Sequence, residues 1–227
     1  MSLVIRLPFS TGDTSLPVIP AEDLIPFSMV EVDAYEHWLL GGSSASLIGI
    51  KDGRPLALQG AAPSYTDSST ILGGYGNALL SDLADRDGLT MCAVVKIPDL
   101  SVVNNSRVVA STASGIAGQA LSLVGGGTIN GRAVVRGFTP LTQDRTFAPT
   151  LGQWWFVAIS QVGTTVTPYI GSLSNIARTS STPKTIGPNV AVLGNAYDGG
   201  AAVTQGIEAA EFILFSRGLT VAQLDQA

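Results

Sequence analysis

Cysteine is nearly absent from this sequence, which has a single one, Cys92, among 227 residues. One cysteine cannot form an intramolecular disulfide, so the chain is stable without oxidation or is made in a reducing cytoplasm. Because Cys92 lies in an apolar strand, we expect a small buried side chain rather than a reactive thiol. The one histidine, His37, has no cysteine or second histidine as a partner, which argues against a metal site or a catalytic triad there.

Charge is also scarce, because charged residues make up only 13% of the chain and acidic residues outnumber basic ones by 17 to 12. The net charge of −5 disfavours a general attraction to nucleic acid or anionic lipid. No apolar run approaches a membrane span, and the first residues lack the basic start and apolar core of a signal peptide. We therefore expect a protein that is made in the cytoplasm without this export route and is not inserted into a membrane.

What is abundant is apolar and flexible, with 45% hydrophobic residues and 26 glycines. Many short apolar strands alternate with glycine-rich turns, and only the last residues, after a capping Thr220, predict a helix. This pattern predicts an all-β fold, a two-sheet antiparallel β-sandwich of jelly-roll type with a short C-terminal helix. Charge-poor β chains of this kind often belong to rigid assemblies.

The first thirty residues differ from the rest because prolines interrupt them at Pro8, Pro17, Pro20 and Pro26. Such a segment cannot pair as a central strand, since proline has no backbone N–H. We predict an extended arm over residues 1–30 and a sandwich domain over residues 31–227. The arm packs along its own domain or along a neighbouring subunit, or else forms a partly ordered tail.

A tryptophan-rich hairpin over residues 147–172 organises the second half of the chain. Its first arm, residues 153–161, alternates, so Trp154 and Trp155 face opposite ways. Trp155 shares its face with Val157 and Ile159, which predicts a core position. Trp154 shares its face with small residues, which leaves room for a ligand on an exposed indole ring.

The last eighty residues resemble a known family. The stretches that carry the resemblance are Gly-Gln-Trp-Trp-Phe-Val-Ala-Ile-Ser (152–160), Thr-Val-Thr-Pro-Tyr-Ile-Gly (165–171), Val-Leu-Gly-Asn (192–195) and Ala-Ala-Glu-Phe-Ile-Leu-Phe-Ser-Arg-Gly-Leu-Thr (209–220). In this order they are similar to the strands of laminin-G-like, concanavalin A-like jelly rolls. Residues 37–42 and 89–95 are similar to the version found in bacteriophage and prophage tail proteins.

This resemblance implies a receptor-binding module of a phage or prophage tail, located in the virion, that binds a bacterial surface polysaccharide. Its partners would be other tail subunits and copies of itself, with a trimer favoured. The alternative is a purely structural tail protein, in which residues 1–30 carry the subunit contacts.

Two groups of side chains are candidate binding residues. Related sandwiches often bind sugar or Ca²⁺ at a loop that corresponds to residues 195–200 here, so Asn195, Tyr197 and Asp198 join Trp154 as candidate ligand-binding residues. Carboxylate oxygens suit a hard cation, and a possible calcium group consists of Asp82, Asp85 and Asp87. Solvated turn residues are the alternative for both groups.

One stretch resembles a catalytic pattern. Glu31, Asp33 and Glu36 fit the E-x-D-x-x-E motif of a glycosidase family built on this jelly roll. By that resemblance, Glu31 would be the nucleophile, Glu36 the acid/base and Asp33 the residue that tunes them. In those enzymes the motif lies on a central strand, whereas here it precedes almost every recognisable strand. We therefore expect no enzymatic activity and interpret the stretch as a solvated entry segment.

Overall fold

The computed structural model describes residues 33–96, 106–125, 129–147, 152–171, 177–197 and 206–226. Nearly all of their regular structure is β. The strands are β1 (Glu36–Leu39), β2 (Ala57–Gln59), β3 (Ser64–Tyr65), β4 (Thr70–Leu72), β5 (Ala78–Ala84), β6 (Leu89–Lys96), β7 (Ser106–Ser111), β8 (Gln119–Gly125), β9 (Ile129–Val135), β10 (Thr142–Phe147), β11 (Trp154–Val162), β12 (Thr165–Ile170), β13 (Arg178–Thr179), β14 (Val190–Gly194) and β15 (Ile207–Phe215). A 3-10 helix spans Ser44–Leu47, and one short α-helix, α1, spans Val221–Leu224.

These strands form two antiparallel sheets. The eight-stranded sheet has the order β13-β12-β11-β6-β15-β4-β3, with β1 also paired to β15. The seven-stranded sheet has the order β10-β9-β8-β7-β14-β5-β2. The predicted all-β, two-sheet antiparallel sandwich with a C-terminal helix is therefore confirmed. The predicted arm, residues 1–30, lies outside the described residues.

The core fills the space between the two sheets. Trp38 of β1 and Phe212 of β15 are fully buried there and stack with their ring centres 5.5 Å apart. The buried indole N–H of Trp38 donates to the carbonyl oxygen of Arg54 over 2.8 Å, which removes the cost of burying an unpaired donor. Leu79 and Leu193 fill the core from the other sheet, where they oppose each other on β5 and β14.

The tryptophan hairpin has the predicted form. β11 pairs with β12 on one side and with β6 on the other, so it is a central strand. Gly163 takes φ of +55° at the turn, a value that favours glycine. Trp155 is half-buried and packs against the core, whereas Trp154 lies on the outer face and is 40% exposed. The predicted opposite orientation of the two indoles, with Trp155 against the core, is confirmed.

The C-terminal residues cover part of the outer face of the eight-stranded sheet. Leu219 and Leu224 pack with Cys92, Ile213 and Phe215 in a second apolar cluster. Cys92 is buried there, and burial raises the pKa of its thiol. A capping box forms between Thr220 and Gln223 at the start of α1, which confirms the predicted cap. No helix in the described part of the chain is long and apolar enough to span a membrane.

Candidate ligand-binding face

The part of this outer face that α1 does not cover carries exposed side chains from several strands. Trp154 of β11 stands directly opposite Lys96 of β6 in the strand register. On the other side of β15, Leu39 of β1 is 49% exposed and Ile71 of β4 is 39% exposed. We call this surface the open face, and its members are Leu39, Ile71, Lys96, Trp154, Glu208 and Glu211.

A bulge in β15 places two carboxylates on the open face. In a regular strand, residues 208 and 211 would point to opposite faces because side chains alternate. The register with β6 shifts between Ala209 and Glu211, and one extra residue reverses the alternation. Glu208 therefore reaches Lys96 while Glu211 reaches His37, on the same side of the sheet.

The polar groups of the open face form two short chains of contacts. The Lys96 ammonium nitrogen lies 3.3 Å from Glu208 Oε2 and 5.8 Å from the centre of the Trp154 ring. The hydroxyl of Ser69 donates to Glu208 Oε1 over 2.9 Å. His37 Nε2 lies 3.2 Å from Glu211 Oε2. The open face thus combines a flat apolar ring with hydrogen-bond donors and acceptors, which are the groups that bind a sugar ring and its hydroxyls.

Two clefts border the open face, one toward each end of the bulged part of β15. The larger has a volume of about 390 Å³ and is lined by Leu39, Leu40, Gly41, Asp67, Ser68, Ala210 and Glu211. The smaller has a volume of about 260 Å³ and is lined by Ile71, Leu72, Lys96, Arg107, Gly206, Ile207 and Glu208. Each provides a concave space beside the exposed strands.

The other predicted ligand-binding residues lie elsewhere. Asn195 follows β14 of the seven-stranded sheet and is 2% exposed. Its backbone bonds to Gly76 and to Asn77. Tyr197 is half-buried, and burial raises the pKa of its hydroxyl, against a smaller opposing effect of a hydrogen bond that the backbone of Val190 donates to it. Asp198 lies outside the described residues. The structure therefore does not bring Asn195 onto the face that carries Trp154.

The three aspartates proposed for calcium are also separate. Asp85 is buried, and its Oδ1 lies 2.7 Å from the ammonium nitrogen of Lys184. Asp82 is paired with Arg54 at 2.8 Å. Asp87 accepts hydrogen bonds from the Gln161 amide and from the Gly163 backbone, and the bond from Gln161 is the main reason that its pKa is lowered. Within the described ranges, no three His, Cys, Asp or Glu side chains come together as a metal ion would require.

Of the glycosidase-like stretch, Glu31 lies outside the described residues and Asp33 is exposed and paired with Arg217 at 3.0 Å. Glu36 is fully buried and accepts hydrogen bonds from the backbone N–H groups of four residues, at 2.8–3.0 Å, which are His37, Lys51, Asp52 and Arg54. Burial alone would raise the pKa of Glu36, but the four N–H donors together outweigh it and lower the pKa. A general acid needs a raised pKa and access to substrate. Glu36 instead anchors the loop that follows residue 48.

Sequence reasoning missed Lys96, Glu208 and Glu211 as members of the face. Glu208 and Glu211 are three residues apart, a spacing that puts side chains on opposite faces of a regular strand. Only the bulge places both side chains on the same face, and the intervening alanines do not indicate a bulge. Lys96 ends an apolar strand and could have been found from its pairing opposite Trp154.

No protein-family model matches the sequence, and no curated protein matches it. Solved structures are similar in fold. The botulinum neurotoxin serotype D binding domain is 14% identical with a TM-score of 0.61, over 88% of this chain and 51% of that one. The serotype D ligand binding domain in complex with N-acetylneuraminic acid is 14% identical with a TM-score of 0.57, over 85% and 50%. A Trypanosoma rangeli sialidase in complex with 2,3-difluoro-KDN is 13% identical with a TM-score of 0.62, over 86% and 32%.

The chain thus spans about half the length of the toxin domains and about a third of the sialidase. At this identity the likeness establishes a shared β-sandwich fold.

Proposed function

We propose that this protein binds a carbohydrate and that the open face is its binding surface. The observation that carries the proposal is Trp154, whose indole is 40% exposed beside Lys96 and the Glu208 carboxylate. An aromatic ring that stays exposed in a central strand leaves apolar area in water, and a pyranose ring that stacks on it would bury that area. The neighbouring donors and acceptors would bind the hydroxyl groups.

The fold comparison gives general support to this proposal. One similar structure is a ligand binding domain in complex with N-acetylneuraminic acid, and another is a sialidase. Because one fold hosts many functions, the side chains of the open face support sugar binding more specifically than the shared sandwich does.

The biological setting that we propose is the tail of a phage or prophage, in which an oligomer of this chain recognises a bacterial surface polysaccharide without cleaving it. The sequence resemblance in residues 37–42 and 89–95 supports this setting. The buried, backbone-bonded Glu36 supports the non-enzymatic part, because it leaves that carboxylate no access to a glycosidic bond.

The test is the binding of purified protein to a panel of bacterial surface polysaccharides. We expect Trp154→Ala to weaken binding about tenfold or more, the effect of losing a buried aromatic contact. Tyr75→Ala removes an aromatic side chain that is 54% exposed at another position and serves as the matched control. Unchanged binding by Trp154→Ala would refute the assignment of the face.

The chain length of the bound polysaccharide is measured before and after incubation. Shortening would contradict the non-enzymatic proposal. If the protein binds no glycan at all, and its mass in solution falls when residues 2–25 are deleted, a structural role in the tail replaces the binding role.

A further inference from the structure

The smaller cleft lies where the two sheets meet, next to the Trp154 end of the open face. Lys96 enters it from β6 of the eight-stranded sheet, and Arg107 enters it from β7 of the seven-stranded sheet. Arg107 Nη1 donates a hydrogen bond to the carbonyl oxygen of Gly206. A side chain at Gly206 would overlap the carbonyl oxygen of Leu72, so glycine is needed for this close approach of backbones. Two basic side chains from different sheets thus converge on one concavity.

The ion pair between Lys96 and Glu208 is long. The Lys96 ammonium nitrogen lies 3.3 Å from the nearer oxygen of Glu208, whereas tight charge-assisted pairs span about 2.7–2.9 Å. The buried Lys184–Asp85 pair, at 2.7 Å, shows the tight form in the same molecule. The Lys96 side chain is also 40% exposed, and Glu208 has a second donor in Ser69. Lys96 can therefore donate to a ligand while Glu208 keeps a partner.

Arg107 adds a partly desolvated cation to the same cleft. Burial lowers its pKa, but a guanidinium remains protonated throughout the physiological range. A cation that is partly removed from water attracts an anion more strongly than a fully exposed one does. Its planar arrangement of N–H groups also matches a carboxylate.

The whole chain makes this convergence informative, because it has only 12 basic residues against 17 acidic ones. We propose that the smaller cleft binds the carboxylate of an acidic sugar, such as a uronic or nonulosonic acid, while Trp154 contacts the ring of the same or the adjacent sugar. This inference rests on the proposed function of the open face and specifies its substrate class. Glu208, which Lys96 and Ser69 hold in place, would accept a hydrogen bond from a hydroxyl group of the same sugar.

The experiment uses the polysaccharide panel, composed of acidic capsular polysaccharides and neutral ones such as dextran. Each acidic polysaccharide that binds is also tested after its carboxyl groups have been reduced to primary alcohols. We expect binding to acidic polysaccharides and a loss of about tenfold or more on reduction, the effect of losing a hydrogen bond to a charged group. Equal binding of the reduced form, or binding to neutral polysaccharides alone, would overturn the carboxylate site.

Variants then separate this inference from the proposed function. Arg107→Lys keeps the positive charge but loses the planar fork, and it should weaken binding of the acidic form while leaving binding of the reduced form little changed. Lys96→Gln should weaken binding of the acidic form more than binding of the reduced form, because Lys96 also belongs to the open face. Arg178→Gln removes an exposed cation on the edge strand β13 and should change neither. Trp154→Ala should weaken both forms, because ring contact does not depend on the carboxylate.

If Lys96→Gln and Arg107→Lys both bind the acidic form as the wild-type protein does, the cleft assignment is wrong while the face assignment stands. If Trp154→Ala leaves both forms unaffected, the proposed face fails and the cleft inference fails with it.

Discussion

Glu36 is the residue whose chemistry departs most from what its position in the sequence suggests. The stretch was interpreted as a solvated entry segment, with catalysis as the alternative, but Glu36 is fully buried and the tertiary structure surrounds its carboxylate with backbone N–H groups from a loop 15 to 18 residues further on. No local pattern predicts this, because the role depends on how the loop between residues 49 and 54 closes against β1. A carboxylate that satisfies several buried N–H groups is a structural element in its own right.

Glu36→Gln should therefore destabilise the fold by about 2–4 kcal/mol, because the amide NH₂ replaces an acceptor with a donor that faces other donors. Since the folded-state pKa of Glu36 is lowered, its ionised form favours the folded state. That stability is present above the ordinary pKa of 4.5 and is lost as the pH falls below it. Urea unfolding of both proteins between pH 7 and pH 3 measures this.

The stability of the wild-type protein should fall across the acid range more steeply than that of Glu36→Gln. The control is Asp33→Asn, which removes an exposed carboxylate paired with Arg217 and should cost little. Equal pH dependence of Glu36→Gln and the wild-type protein would show that Glu36 does not stabilise the fold through its charge.

At the scale of elements, regular alternation was predictable and its interruption was not. The β11–β12 hairpin follows from alternating side chains and a glycine turn, and the structure has both. The bulge in β15 follows from neither, since alanine at 209 and 210 is compatible with a regular strand. Because the bulge decides which face carries Glu208 and Glu211, Trp154 was predicted as a site residue while these two glutamates were missed.

The helix α1 is an element whose packing can be measured through the single cysteine. Leu224 is 1% exposed and belongs to the same apolar cluster as the fully buried Cys92. Leu224→Ala should destabilise the packing of α1 on the sheet by about 2–4 kcal/mol. It should therefore accelerate the reaction of Cys92 with an aromatic disulfide reagent under native conditions. The reaction rate is followed by absorbance of the released aromatic thiolate.

Ala222→Gly provides a control in the same helix, because Ala222 is exposed and its replacement affects propensity rather than packing. Ala222→Gly should raise the labelling rate of Cys92 much less than Leu224→Ala does. Labelling at the wild-type rate in Leu224→Ala would mean that the packing of Leu224 does not protect Cys92.

At the scale of the whole molecule, composition and strand pattern were enough to predict the sandwich, because two sheets with a shared core are the packing that many short amphipathic strands allow. They were not enough to predict which part of the outer face the described residues leave uncovered. That surface depends on how far Leu219 and α1 extend over the eight-stranded sheet, and on the cleft that Arg107 forms by reaching from one sheet to the other.

The net charge of −5 predicts how salt changes the rate at which an acidic polysaccharide associates. This salt effect distinguishes the long-range repulsion by the whole protein from the local attraction by the cleft. An acidic polysaccharide approaches against the repulsion of the whole protein, whereas Lys96 and Arg107 attract it only at contact. Salt screens the long-range repulsion most, since the Debye length is about 8 Å at physiological ionic strength. The association rate constant should therefore rise by about two- to threefold between about 0.02 M and 0.15 M salt, while dissociation also becomes faster because contact pairs weaken.

Surface plasmon resonance resolves both rates, and the carboxyl-reduced polysaccharide should associate at a rate that salt does not change. A decrease of the association rate with salt would show that the basic cleft, and not the net charge, governs the encounter.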